Sequence, residues 1–172
     1  MVDIAKLILD YGAVKFGDFT LSSSKKSNVY VDMRSLISIP HAYKEIIKEA
    51  INVLQGLKFD AIGGIPTGGL IWASFIAYEL NYPLCYVRKE EKGHGTSKLI
   101  EGSLPKASTI ILVDDVATTG SSLSYAAEKL REHGYVVNDA LVLVDREEGA
   151  KDMLFAKGIK LHSLVKLKDL LV

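Results

Sequence analysis

Thr109-Ile110-Ile111-Leu112-Val113-Asp114-Asp115-Val116-Ala117-Thr118-Thr119-Gly120-Ser121-Ser122 is the stretch on which the reading of this chain turns. Its first half is β-branched and aliphatic, too apolar to face water, and reads as a buried parallel strand. Two carboxylates follow, then a run of small hydroxyl and Gly residues that makes a tight loop. From Ser121 onward, apolar residues at Leu123, Ala126, Ala127 and Leu130 recur at a spacing of three and four, and Gly134 stops the pattern: a helix. The loop therefore sits at a helix N-terminus, where unsatisfied amides and the positive end of the helix dipole favour an anion. Thr118, Thr119, Ser121 and Ser122 add hydroxyl donors. Asp114 and Asp115 would repel a phosphate if they pointed into that cradle, so they are expected to face hydroxyls or a hydrated cation. A sugar phosphate meets both demands. The plainer reading is a strand-to-helix turn capped by a serine hydroxyl, which accounts for Ser121 or Ser122 and leaves the Asp pair without a reason.

Working outward, Asp3 caps a helix with Ile4, Leu7, Ile8 and Tyr11 at helical spacing. Residues 14–21 and 28–33 read as a hairpin around the polar turn 22–27. Pro40 and the positions Ile46, Ile47, Ala50, Ile51 and Leu54 mark a helix to about Gln55. Then the order becomes regular: strand near 60–65, helix 69–80, strand 83–87, strand 109–114, helix 121–133, strand 135–144 and a last strand near 159–164. Alternation of this kind predicts an α/β fold, a Rossmann-like parallel five-stranded sheet flanked by helices. The expected organisation is a single domain over 1–172, with 1–35 a small N-terminal hood and 36–172 the core. Ligands in such sheets gather at the carboxyl ends of the strands, where the motifs fall.

The chain of 172 residues is 48% hydrophobic, enough for one α/β core. Lys+Arg and Asp+Glu both number 21, so no overall basic field invites nucleic acid, and no apolar run of about 20 residues offers a membrane span. Cys85 is the single cysteine and has no internal disulfide partner, and the N-terminus lacks a signal core; a cytoplasmic protein is expected. Gly64-Ile65-Pro66-Thr67-Gly68-Gly69 has the glycine spacing of a P-loop, but Leu70-Ile71 stands where Lys-Ser/Thr must be. No Gly-x-Gly-x-x-Gly follows a strand, which argues against an NTPase or a dehydrogenase. Pro66, Thr67, Gly68 and Gly69 nevertheless join a strand to a helix, and two glycines there let backbone approach an anion. Residues 88–98 are polar and aperiodic, a loop whose cations on composition alone face water.

The segment Val113 to Ser121 resembles the phosphoribosyl pyrophosphate (PRPP) loop of the type I phosphoribosyltransferases. That resemblance implies Asp114 and Asp115 on the ribose 2- and 3-hydroxyls, and Val116, Ala117, Thr118, Thr119, Gly120, Ser121 and Ser122 around the 5-phosphate. The 66–69 turn is similar to the family's pyrophosphate loop. Arg88-Lys89-x-x-Lys92-x-His94-Gly95, followed by Ile100-Glu101-Gly102, resembles the catalytic loop of the orotate-specific members. There it reaches the neighbouring subunit's site, which implies a homodimer with the 88–98 loop shared. Arg88, Lys89, Lys92 and His94 would then neutralise the leaving pyrophosphate, with Lys92 and His94 catalytic beside the Asp pair.

Residues 19–32 are similar to the segment that covers the base, with Tyr30 at the aromatic position; Ser22 and Ser24 depart from the lysine and glycine that some members carry. Tyr30 also fits a strand residue on the core face. Arg146, at the carboxyl end of the 135–144 strand, fits either a bidentate pair with a substrate carboxylate or a salt bridge to Asp145, Glu147 or Glu148. The resemblance places Thr118, Arg146 and Tyr30 on orotate. It implies transfer of ribose 5-phosphate from PRPP to orotate, giving orotidine 5-monophosphate and pyrophosphate, in pyrimidine biosynthesis. Mg²⁺ is expected to arrive with PRPP, with no residue assigned as a direct metal ligand. A purine phosphoribosyltransferase would share the PRPP loop and leave Arg146 unexplained; a PRPP-sensing regulator would need an output surface, and no helix-turn-helix or basic excess supplies one.

Overall fold

The structure is a computed structural model that describes residues 2–21, 23–89 and 98–171. In chain order the elements are α1 (Ile4–Asp10), β1 (Val14–Thr20), β2 (Lys26–Val31), α2 (Pro40–Leu54), β3 (Ala61–Gly64), α3 (Gly68–Leu80), β4 (Leu84–Val87), β5 (Ile100–Glu101), β6 (Ile110–Ala117), α4 (Ser121–Glu132), β7 (Asp139–Asp145), α5 (Ala150–Ala156) and β8 (Lys160–Lys166). The main sheet runs β5-β4-β3-β6-β7-β8. Five of these strands are mutually parallel, as expected. The sixth, β5, is a difference from the five-stranded expectation: the chain returning from the 88–98 loop lies antiparallel along the free edge of β4, pairing Tyr86 with Glu101 and Val87 with Ile100. Two residues carry no periodicity by which to be read.

Both faces of the sheet are covered, so its strands are apolar on both sides. Ile62, Ile111, Val113, Leu141 and Leu143 point to the layer of α1, α2 and α3, around the fully buried Trp72 and Ile46. Ala61, Ile110, Leu112, Ala140 and Val142 point the other way, onto Leu123, Ala126 and Leu130 of α4 and Leu154 of α5. Along Ala61–Ile62, Ile110–Val113 and Ala140–Leu143 the alternation sends successive side chains to opposite cores. Cys85 lies in the second, and burial pushes its thiol up to about 11, which leaves it unreactive.

α5 and a 3-10 helix at Met33–Ser38 were not expected; the hairpin strand read to residue 33 ends at Val31. α5 buries only Ala150 and Leu154, a single i, i+4 pair. β7 starts at Asp139, later than residue 135, because the chain before it makes only an isolated bridge, Thr109 to Val136.

The first 31 residues divide their work. Ile4, Leu7 and Ile8 of α1 are buried in the main core, while β1 and β2 pair only with each other. Asp32 N–H donates to Ala13 O at 2.7 Å and closes the base of this hairpin. Its far side, through Thr20, Leu21, Tyr30 and Val31, walls a cavity at the carboxyl end of the sheet.

Candidate active site

The strand order places the site. From β3 the chain proceeds to β4 on one side; β6, β7 and β8 build out on the other, so the direction reverses between β3 and β6. A crevice opens where such a reversal occurs. The loops leaving β3 and β6 border it, and a cavity of about 370 Å³ lies there, bounded by Pro66, Thr67, Asp114, Asp115, Thr118 and Arg146 among others.

Beside it, Val116 to Ser122 surround a smaller recess of about 40 Å³ with Asp114 at its edge. Gly120 takes φ +80, a left-handed conformation that side chains disfavour, and it occupies the cap position of α4. Gly120 has no side chain to cap that helix, the Ser121 N–H donates to Thr119 Oγ1 at 3.4 Å, and no serine hydroxyl takes a first-turn amide, so the plainer reading of Ser121 or Ser122 as a cap does not hold. Thr119 Oγ1 contacts Ser121 Oγ at 3.3 Å, which puts two hydroxyls on the rim. A tetrahedral anion suits a recess of this size and polarity.

Asp114 is buried and Asp115 half-buried in the second half of β6. Each carboxylate accepts from the amide that follows it, Asp115 N–H to Asp114 Oδ1 at 2.8 Å and Val116 N–H to Asp115 Oδ1 at 2.9 Å. Burial pushes the Asp114 carboxyl well above the usual carboxylate range; the Asp115 charge adds to the rise and the Lys89 charge opposes it. Two such carboxylates in a cavity are acceptors for vicinal hydroxyls. Among the described residues no group of three or more His, Cys, Asp or Glu is placed to cage a metal. The donor set fits a Mg²⁺ that keeps most of its oxygen ligands from water and a substrate.

Gly68 and Gly69 open α3 directly against this pair. A Cβ on Gly68 would lie 2.2 Å from Asp115 Oδ2, and one on Gly69 would lie 2.6 Å from Asp114 Oδ1 and 2.7 Å from Val113 O. The absent side chains thus make room for the carboxylates, and the positive end of α3 faces them. The peptide between Pro66 and Thr67, which precedes these glycines, is cis.

The opposite wall comes from β7 and the hairpin. Arg146 is almost fully buried: Nε donates to Glu148 Oε1 at 2.8 Å, Nη1 to Val29 O at 3.1 Å and Nη2 to Ser27 Oγ at 3.0 Å. It ties the hairpin to the sheet, and one N–H on each terminal nitrogen is left over. Tyr30 does not face the core; its half-buried ring lines the cavity, tilted against Phe19 with centroids 5.4 Å apart. Its hydroxyl accepts from Arg34 Nη2 at 3.0 Å.

Arg34 lines the same cavity and was not anticipated, since it follows the hairpin in a segment with no motif; the one signal was a cation four residues after Tyr30. Arg88 is half-exposed and 3.6 Å from Glu101, and Lys89 is exposed. Lys92 and His94 lie outside the described residues, as does Ser22.

A family model for the phosphoribosyl transferase domain matches residues 28–161. Orotate phosphoribosyltransferase from Sulfolobus acidocaldarius is 44% identical over 170 residues, covering 99% of this chain and 86% of that protein. The enzyme of the same name from Aeropyrum pernix is 46% identical over 170 residues, covering 98% and 91%. The crystal structure of orotate phosphoribosyltransferase from Aeropyrum pernix superposes with a TM-score of 0.88, covering 98% of this chain and 97% of that one.

Proposed function

This chain belongs to the phosphoribosyl transferase family, and we propose that it transfers the ribose 5-phosphate group of PRPP to orotate, giving orotidine 5-monophosphate and pyrophosphate in pyrimidine biosynthesis. The observation that carries the reading is one crevice holding an acidic pair, a phosphate-sized recess and two arginines, Asp114, Asp115, Arg34 and Arg146 among its lining residues. PRPP supplies vicinal hydroxyls and a 5-phosphate; a base bearing a carboxylate supplies the partner for guanidinium.

In this reading Asp114 and Asp115 hold the ribose hydroxyls, and residues 116–122 hold the 5-phosphate. As the C1–O bond breaks, positive charge grows on the ribose and negative charge on the departing pyrophosphate. Catalysis is then positioning and electrostatic stabilisation, with no covalent nucleophile. Pro66, Thr67, Gly68 and Gly69 bound the pyrophosphate side with their backbone. Arg88, Lys89, Lys92 and His94 neutralise the leaving group, and Thr118, Tyr30 and Arg146 bound the base. Mg²⁺, when bound with PRPP, supplies charge neutralisation on the pyrophosphate oxygens. A homodimer in which the 88–98 loop serves the neighbouring site and a cytoplasmic setting belong to the proposal. Mixing protein, PRPP, Mg²⁺ and orotate should release one pyrophosphate per orotate consumed. Orotate left intact while PRPP binds would refute the reading.

A further inference from the structure

We propose that Arg34 is a specificity-determining residue, the one whose guanidinium reads the carboxylate of the base; the inference rests on the orotate assignment above. Two arginines line the cavity, and they differ in what they have left to give. Arg146 is 3% exposed in its side chain, its charge is matched by Glu148 at 2.8 Å, and all three of its nitrogens already donate within the protein. Its fork is spent mainly on holding Val29 and Ser27 of the hairpin. Arg34 is 54% exposed in its side chain and, among the described residues, makes one close contact, from Nη2 to the Tyr30 hydroxyl.

Among the described residues, the nearest carboxylate to Arg34 is a poor competitor. Asp32 Oδ1 stands 3.9 Å from Arg34 Nε, whereas its other oxygen, Oδ2, is 3.1 Å from Lys15 Nζ. Arg34 therefore faces the cavity with a charge only loosely balanced and with Nη1 unclaimed in the contacts described. A planar carboxylate on a flat base fits that fork in the plane of the guanidinium, next to the ring of Tyr30. A base without the carboxylate would leave the cation facing nothing, which is how a site built for a charged partner discriminates.

The test measures steady-state kinetics with orotate and with uracil on the full-length protein and on Arg34→Ala, Arg34→Lys and Tyr30→Phe, with KM for PRPP and melting temperature as controls. Arg34→Ala should raise KM for orotate by about 10- to 100-fold and shrink the orotate-to-uracil ratio of kcat/KM by a similar factor. KM for PRPP and melting temperature should stay near wild type. Arg34→Lys should recover part of the loss, because it keeps the charge and not the fork. Tyr30→Phe removes the hydroxyl to which Arg34 donates and should shrink the ratio by less than Arg34→Ala does, because the charge stays in the cavity.

An Arg34→Ala ratio equal to wild type overturns the inference alone. So does an Arg34→Ala rise in KM for PRPP as large as the rise for orotate, since Arg34 would then support the site as a whole and not read the base. A wild-type protein that uses uracil as readily as orotate overturns the base assignment and the inference with it.

Discussion

Asp114 is the residue at which the site works against the fold. Its carboxyl is buried beside a second carboxylate and titrates well above 3.8, so the folded state holds its proton more tightly than the unfolded chain does. A group with a raised carboxyl value favours folding at low pH, and that contribution is lost as pH rises from about 3.8 through the raised folded value. Asp114→Asn keeps the acceptor for the Asp115 amide and removes the burden. It should melt higher than wild type at pH 7, with the gain gone below about pH 4, while kcat/KM for PRPP falls by about 100-fold or more. Identical melting curves at neutral pH would show that the carboxyl carries no such burden.

Lys92→Ala should lower kcat far more than it weakens orotate binding, as expected for a cation that acts on the leaving group. Equal losses in both would count against that role. At this scale the Asp pair and the hydroxyl loop were legible because they are contiguous and follow a strand. Glu148 as a partner of Arg146 was legible too, two residues along. Arg34 in the cavity, and Val29 and Ser27 as the other partners of Arg146, were not: they depend on how the hairpin folds back, and Val29 and Ser27 lie 117 and 119 positions from Arg146 in sequence.

Among elements, the junction of α3 with β6 shapes the site most. The two glycines that open α3 were read as letting backbone approach an anion; the structure adds that they leave room for Asp115 and Asp114. Gly68→Ala should therefore displace Asp115 and lower kcat/KM for PRPP by about 100-fold, the scale of a misplacement near 1 Å, with the far-ultraviolet spectrum unchanged. Full activity in that variant would mean the carboxylate shifts without consequence.

α5 illustrates the limit of periodicity. It buries only Ala150 and Leu154, where the equally short α1 buries three residues, and so gave no pattern to read; yet its Ala150 lies 3.2 Å from where a Cβ on Gly120 would sit, so it buttresses the phosphate loop from behind. The longer helices and the five parallel strands were legible because each presents several apolar residues to one of two cores. β5 was not, because its place is set by the edge of β4 that it covers.

For the whole molecule, the reversal of strand order between β3 and β6 explains why residues from 20 to 146 converge on one crevice. The proposed sharing of the 88–98 loop between subunits has a direct consequence. Lys92→Ala and Asp115→Asn, each inactive alone, should regain about a quarter of wild-type activity when subunits are exchanged, since half the dimers would carry one intact site of two. No recovery after demonstrated exchange would show that each loop serves its own subunit.

The central claim is that PRPP is joined to orotate and not to another base. The decisive measurement is an ultraviolet assay of the purified protein with PRPP and Mg²⁺, offering orotate, uracil, hypoxanthine and adenine in separate reactions. Consumption of orotate, with the other three bases unchanged, is the predicted result. Turnover of a purine or of uracil in preference to orotate would contradict it.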